Sequence, residues 1–279
     1  HQHQLYAVFD GVGAQGNGDL AAEMASLAIQ GSISSAPFEM SEEEAREKMS
    51  AAIEYAHSRV QALNIEGQES APLTTASVLK FFRDSKTKKL CAIIGHVGDS
   101  RIYHMNRDNF RRLTNDHNRE YQDKMDKQYT SKKNEPVSTF NVMDASSIGI
   151  QDALDNWEGN DYSTPEGVNV YAQAQPGYRN KITSWLGGEK NKPDYIDTLL
   201  IKNIFPGDRF ILVTDGVGDN LTKTEIRNST DLVGDAYKRS NEQDNLRAKW
   251  GDDTTAIEVI VEEPSEAKTL TQSSVGLAA

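Results

Sequence analysis

The chain of 279 residues has one cysteine, Cys91, so no disulfide can close within it. Its place in the apolar run "LCAIIGHVG" predicts a buried core thiol. No run of about 18 apolar residues is present, and no transmembrane helix is read from it. No charged-then-apolar segment opens the chain, so no secretory signal is read and a reducing, cytoplasmic compartment is the expectation. Positive charge is in short supply: 30 Lys and Arg stand against 42 Asp and Glu, a net charge of −12. Without a basic stripe, nucleic acid and anionic membrane are excluded as main partners. A P-loop, Gly-x-Ser-x-Gly, Cys-x-x-Cys and His-Glu-x-x-His are all missing, and with them the chemistries those motifs carry. No repeat at a solenoid or propeller period occurs.

What the chain does contain is the tetrapeptide Asp-Gly-Val-Gly, twice, each time at the end of an apolar run: "LYAVFDGVGAQGNG" and "FILVTDGVGDN". Leu5 to Phe9 predicts a short buried strand, and "GDLAAEMASLAIQGSI" a helix with Asp19 near its start. A second helix opens with Ser41 and Glu44 as a capping box, followed by Ala45, Met49, Ala52, Ile53, Ala56, Val60 and Leu63 at helical spacing. The period then changes. "LTTASVLKFF" and "LCAIIGHVG", separated by the polar "RDSKTKK", predict a hairpin, which "RIYHMN" and "FRRLTND" extend into an antiparallel meander. From Asn118 to about Gln175 no sustained period is left, and a surface insertion or flap is expected there. "YIDTLLIKN" and "RFILVTDG" predict a second hairpin, helices are expected over 223–228 and 231–247, and the last strand lies in "DTTAIEVIVEE". One domain is expected over 5–262, with the flap at 118–178 inside it and a loose tail over 263–279. Helices grouped early and late around these strands predict an α+β fold of packed layers.

Gly11, Gly13 and Gly16 spell a dinucleotide-binding fingerprint, but the strand that should follow the first helix is replaced by another helix, and Asp10 would face the pyrophosphate with like charge. The alternative is metal. Asp10, Asp99, Asp215 and the pair Asp252/Asp253 all lie where an apolar strand meets a turn, in "VFDG", "VGDS", "VTDG" and "WGDDTT". Taken singly, each is read as a turn aspartate bonding its own backbone. Four such strand ends in one sheet system can converge, and a cluster of carboxylates needs cations to offset its repulsion. Oxygen-only ligands suit Mg²⁺ or Mn²⁺. The glycine after Asp10 and after Asp215 leaves room for an ion, its waters and a backbone carbonyl.

"VFDGVG", "TTASVL", "GHVGDSRIY", "LTNDH", "RNKITSWLG", "DRFILVTDGVGDNLT" and "GDDTTAIEVIV" run in an order and spacing that resembles the metal-dependent serine/threonine protein phosphatases of type 2C, the PPM family, from about Leu5 to Val261. The resemblance implies a β-sandwich of two antiparallel sheets flanked by helices, with two Mn²⁺ or Mg²⁺ ions in a cleft at one end. Asp10 is then the carboxylate that bridges both ions, and the Gly11 carbonyl a ligand of the second. Asp215 and Asp252 become ligands of the first, Asp252 being preferred over Asp253 for its distance to Thr255. Asp99 would face a weaker third ion, shared with Asp215. The implied catalytic set is therefore Asp10, Asp215 and Asp252, acting through a water that attacks phosphorus in line. The implied partners are phosphorylated proteins, with a monomer expected.

Three departures accompany the resemblance. The family's first strand, carrying an Arg and an Asn-Glu-Asp motif, has no counterpart, since four residues precede Leu5; Val12 stands where many members have histidine; and Gly13-Ala14 replaces Gly-Gly. Either a longer chain was cut before residue 1 or those residues are truly lost, and the second case keeps another reading open, a phosphatase-like adaptor or regulator without catalysis. His96 is read as structural, His117 of "TNDH" as an active-site candidate, Arg101 as the residue that pins its turn, and Trp185 with Leu186 as core.

Overall fold

The structure is a computed structural model and describes residues 4–12, 17–64, 71–107, 109–117, 140–141, 182–189, 193–194, 196–221, 223–241 and 252–263. The expected flap at 118–178 and tail at 263–279 lie outside the described residues, apart from 140–141 and Glu263. Among the described residues, no helix is long and apolar enough to cross a membrane.

Two sheets pack face to face. The first contains β1 (Leu5–Val8), β5 (Ala76–Asp84), β6 (Leu90–Val97), β11 (Asp197–Ile201) and β9 (Phe140–Asn141) in that order, with β3 (Glu39–Met40) also on β5. The second runs β13 (Ala256–Ile260), β12 (Arg209–Val213), β7 (Arg101–Met105) and β8 (Phe110–Arg112). Main pairings are antiparallel as expected; among the described residues only the two-residue strands β3 and β9 join in parallel. A small third sheet orders β10 (Leu186–Gly187), β4 (Leu73–Thr74) and β2 (Gly11–Val12).

Alternation along each strand divides the apolar residues between layers. Leu79 and Phe81 of β5, Ala92 and Ile94 of β6, and Leu199 and Ile201 of β11 meet Ile102, Phe210, Leu212 and Val259 inside the sandwich. Phe81 and Phe210 cross that interface edge-to-face, their ring centroids 5.3 Å apart. The alternate residues Val78, Phe82, Cys91, Ile93 and Leu200 face helices α1 (Gly18–Ile33) and α2 (Glu42–Gln61). On the outer side of the second sheet, Tyr103, Ile211 and Val213 pack on α3 (Asp215–Gly218), α4 (Lys223–Asn228) and α5 (Leu232–Ser240) through Val217, Ile226 and Ala236. The predicted α1 and α4 match the observed spans, and Ser41 and Glu44 form both bonds of the capping box, at 3.2 and 2.7 Å. Cys91 is buried, as read from its run. Of the helix expected over 231–247, Leu232–Ser240 is observed, Asp231 caps it, and 242–250 lie outside the described residues.

Two predicted pairings need correction. β11 and β12 are not a hairpin: β11 pairs β6 in the first sheet, and β12 lies between β13 and β7 in the second. The chain crosses the sandwich at the turn before Asp208, whose Oδ2 accepts from Phe205 N at 3.2 Å and contacts His104 Nε2 of β7 at 3.1 Å. That buried anchor ties the start of β12 to the second sheet. The meander is likewise interrupted. β5–β6 and β7–β8 are each hairpins, but Gly98 to Ser100 carry the chain from one sheet to the other between them. Both sheets are buried on two faces, one inside the sandwich and one under helices, so the strands read alike and periodicity is silent on which sheet a strand joins.

Candidate metal centre

Strand register brings the aspartates to one end of the sandwich. In the first sheet Val8 pairs Ser77, and Ala76 pairs Val97, so the end of β1, the start of β5 and the end of β6 lie together. In the second, Val213 pairs both Arg101 and Ala256, joining the end of β12 to the starts of β7 and β13. Asp10 follows β1, Asp99 lies in the crossing between β6 and β7, Asp215 follows β12 and Asp252 precedes β13. All four therefore occupy the same rim.

They also feel one another. Asp10 has its pKa raised to about 9, first by burial, then by the charge of Asp215 and a hydrogen bond with it, then by the charges of Asp252 and Asp99. Asp99 and Asp215 are buried, Asp10 and Asp252 half-buried, and Gly11 exposed at the rim. Asp252 is thus among the carboxylates acting on Asp10, whereas Asp253 is exposed and offers its carbonyl to Thr214 Oγ1 at 3.3 Å. Among the described residues, no three His, Cys, Asp or Glu side chains are drawn tightly enough to cage an ion by themselves. Hard divalent cations keep several waters and need only one or two carboxylates each, so a rim without such a cage is compatible with them. The donor set, all oxygen and mutually repelling, fits such cations.

The turns carrying these residues are held by hydroxyls inside the rim. Asp10 N donates to Thr75 Oγ1 at 3.0 Å, while its carbonyl accepts from Thr75 N and from Thr74 Oγ1, each at 2.9 Å. Thr214, just before Asp215, exchanges bonds with the other side: its Oγ1 accepts from Thr255 N at 3.0 Å, and its N donates to Thr255 O at 3.1 Å. The two glycines have a role the spacing did not suggest. A Cβ on Gly11 would lie 2.1 Å from Gly18 O, and one on Gly216 would lie 2.3 Å from Asp253 O. Each admits the neighbouring backbone of the protein itself, seating α1 and the segment before β13 beside the aspartates.

Arg101 pins its turn as expected. Its guanidinium holds Asp116 and, at 2.7 Å, Asp219 just past α3, and it donates to Gly218 O. Burial alone would raise the pKa of Asp116, but Arg101 and Arg112 outweigh it and hold the group well below the usual carboxylate range. His117 is fully buried: its N donates to Gly98 O at 2.7 Å, its Nδ1 accepts from Gly98 N at 3.2 Å, and its Nε2 lies 3.2 Å from Asp197. That placement makes it a support of the turn before Asp99, not a group presented to a ligand. His96 is structural, between Ser77 Oγ at 2.8 Å and Asn115 O at 2.7 Å. Leu186 is core and Trp185 half-buried. The supporting residues Thr75, Ser100 and Thr214 were not singled out by the sequence reading; for Thr75 the signal was Thr-Thr-x-Ser at the head of an otherwise apolar strand, and for Ser100 and Thr214 it was a hydroxyl residue directly beside a strand-end aspartate.

A central sandwich with helices on both outer faces and an acidic rim at one end defines the metal-dependent serine/threonine phosphatase class of fold. The family model for protein phosphatase 2C matches residues 1–250, and the chain belongs to that family. Among curated proteins none matches. Solved structures similar to it include the Mycobacterium tuberculosis serine/threonine phosphatase PstP/Ppp (20% identity, 93% of this chain and 89% of that chain, TM-score 0.57). The S. agalactiae serine/threonine phosphatase is similar at 20% identity, over 93% of this chain and 87% of that one, with a TM-score of 0.59. The catalytic domain of PstP in complex with two manganese ions is similar at 20% identity, over 93% and 88%, with a TM-score of 0.54.

Proposed function

We propose that this chain hydrolyses phosphoserine and phosphothreonine on proteins with the help of two divalent cations, Mn²⁺ or Mg²⁺. The observation that carries the reading is the convergence of Asp10, Asp99, Asp215 and Asp252 on one rim, with Asp10 driven to hold a proton unless cations offset its neighbours. Asp10, the Gly11 carbonyl, Asp215 and Asp252 would hold the two ions, and Asp99 with Asp215 would face a third. PstP, a relative in fold, is described with two manganese ions. When bound, such ions supply an activated water and offset the charge of the phosphoryl oxygens.

The chain's own residues supply position and charge. Asp10, influenced by all three other aspartates, would help to hold both ions. Asp215, at the first position of α3 and nearly buried, is oriented by Thr214 on one side and by the Arg101 anchor on the other. Val12 carries no proton to give, so position 12 does not protonate the leaving serine or threonine oxygen. The Asp252 assignment rests on its charge reaching Asp10, since the family match ends at residue 250.

The test is phosphate release from a phosphothreonine peptide with Mn²⁺ and with EDTA, the Asp215→Asn variant run alongside. Turnover that needs the metal and is lost in the variant supports the phosphatase. A folded, metal-loaded chain without turnover would leave the adaptor reading instead.

A further inference from the structure

We infer that Thr75 is a positioning residue that sets divalent-cation affinity at the rim, by locking the turn of Asp10 to the turn of Asp99 through one buried hydroxyl. The inference rests on the metal reading above and adds to it a determinant outside the carboxylates.

Thr75 is fully buried at the junction of β4 and β5. Its Oγ1 accepts from Asp10 N at 3.0 Å and lies 2.8 Å from Ser100 Oγ, while its own N donates to Asp10 O at 2.9 Å. A hydroxyl offers one proton and two acceptor sites, so this one can serve Asp10 and Ser100 together. Both backbone groups of Asp10 are thereby fixed, and its carboxylate is left with side-chain torsions alone. On the other side, Thr75 touches both neighbours of Asp99. Ser100 shares the hydroxyl, and Gly98, at φ +104°, lies so close that a Cβ there would fall 2.6 Å from Thr75 Cβ and Cγ2. Ser100 is held in turn from below, its carbonyl 3.0 Å from Ser77 Oγ, which also contacts His96 Nδ1.

The Thr75 side chain therefore touches the turns of both aspartates, which repel each other, and helps to set their separation. Residues that orient a metal's ligands typically alter affinity by about 10- to 100-fold when lost. Thr75→Val keeps the branched shape but removes the hydroxyl, leaving Asp10 N–H without its acceptor, whereas Thr75→Ser keeps the hydroxyl and removes a methyl.

The experiment measures Mn²⁺ binding by the electron paramagnetic resonance signal of free Mn²⁺, together with thermal melting in EDTA. For folded Thr75→Val, affinity should fall by about 10-fold or more, with Thr75→Ser restoring it to within about threefold of the parent. Parent-like binding by Thr75→Val overturns the inference, and so does an equal loss in Thr75→Ser, which would assign the effect to shape. If Thr75→Val fails to fold, Ser100→Ala decides, because it spares the bond to Asp10 and cuts the link to the Asp99 turn. Weaker Mn²⁺ binding by about threefold supports the inference, and unchanged binding overturns it. Absence of Mn²⁺ binding by the parent chain overturns the metal reading itself, a result distinct from parent-like binding by the variants.

Discussion

Arg101 grips Asp116 through two hydrogen bonds, Nε to Oδ1 at 3.1 Å and Nη2 to Oδ2 at 2.8 Å, in a pocket where each side chain is 8% exposed. The same guanidinium reaches Asp219 and the Gly218 carbonyl, so it joins the segment after β8 to the short helix that begins with Asp215. A buried ion pair adds little over a well-packed apolar pair, but half of one is costly, because the remaining charge has lost its partner in a place water does not reach. Arg101→Met is expected to destabilise the fold by about 3–5 kcal/mol in urea unfolding, and to lower metal-dependent phosphate release by loosening α3. A loss below about 1 kcal/mol would mean the cluster is hydrated and behaves as a surface pair.

The rim is expected to weaken the metal-free fold. Asp10 has a folded pKa of about 9 against an ordinary 3.8, so the folded state binds a proton that the unfolded chain releases. Stability of the metal-free protein should therefore fall as pH rises from about 4 towards 9. Asp10→Asn removes that penalty. In EDTA at neutral pH the variant should melt about 2–4 °C above the parent, and added Mn²⁺ should no longer raise its melting temperature as it does the parent's. A variant that melts lower in EDTA would show that the carboxylate supports the fold without metal.

How much of this was open to sequence reading divides along physical lines. Helices α1 and α4 were legible to the residue, and the α2 cap was legible because its signal is local: Ser41 and Glu44 are three residues apart and satisfy each other. The rim aspartates were legible as strand-end residues in apolar contexts. Sheet membership was not, since β11 and β12 are both buried on two faces and the crossing is fixed by partners far apart in sequence, the Asp208 contact with His104 and the backbone bonds of Gly207 and Asp208 with Val261. Thr75 and Thr214 were passed over for a related reason. A threonine in a strand has an ordinary propensity explanation, and its value here comes from partners on other turns.

The cap yields a prediction remote from the rim. Ser41 Oγ accepts from Glu44 N, and the Glu44 carboxylate accepts from Ser41 N, so two of the first donors of α2 are satisfied. The helix packs along the first sheet through Met49, Ile53 and Val60, which confines the effect of the cap to folding. Ser41→Ala should cost about 1 kcal/mol in chemical unfolding, while Mn²⁺ affinity and turnover of the folded protein stay at parental values. A change in affinity would reveal coupling from α2 to the rim that the hydrogen bonds here do not carry.

The last prediction concerns acid. His96 is fully buried, and burial, followed by the charge of His117 4.7 Å away, lowers its pKa from 6.5 to about 3. As pH falls through 6.5 the unfolded chain takes up a proton that the folded chain refuses, so stability is complete above that value and declines towards 3, by up to about 1.4 kcal/mol per pH unit. His104, lowered chiefly by burial, acts in the same sense. Asp116, held well below the usual carboxylate range, adds its own loss only when the unfolded carboxyl begins to protonate near its ordinary 3.8. Between pH 6.5 and about 4.5 the histidines lower stability as acid is added, against the opposite trend that Asp10 gives the metal-free protein. As pH is lowered through about 7, 6 and 5, the margin by which the parent's unfolding free energy exceeds that of His96→Asn, which cannot be protonated there, should shrink, Asp10 contributing alike to both. The variant should also be less stable at pH 7, since an amide cannot span both Ser77 and the Asn115 carbonyl. Equal slopes for parent and variant would mean that folded His96 accepts the proton after all, and that the layer beneath Asp99 opens to water before the protein unfolds.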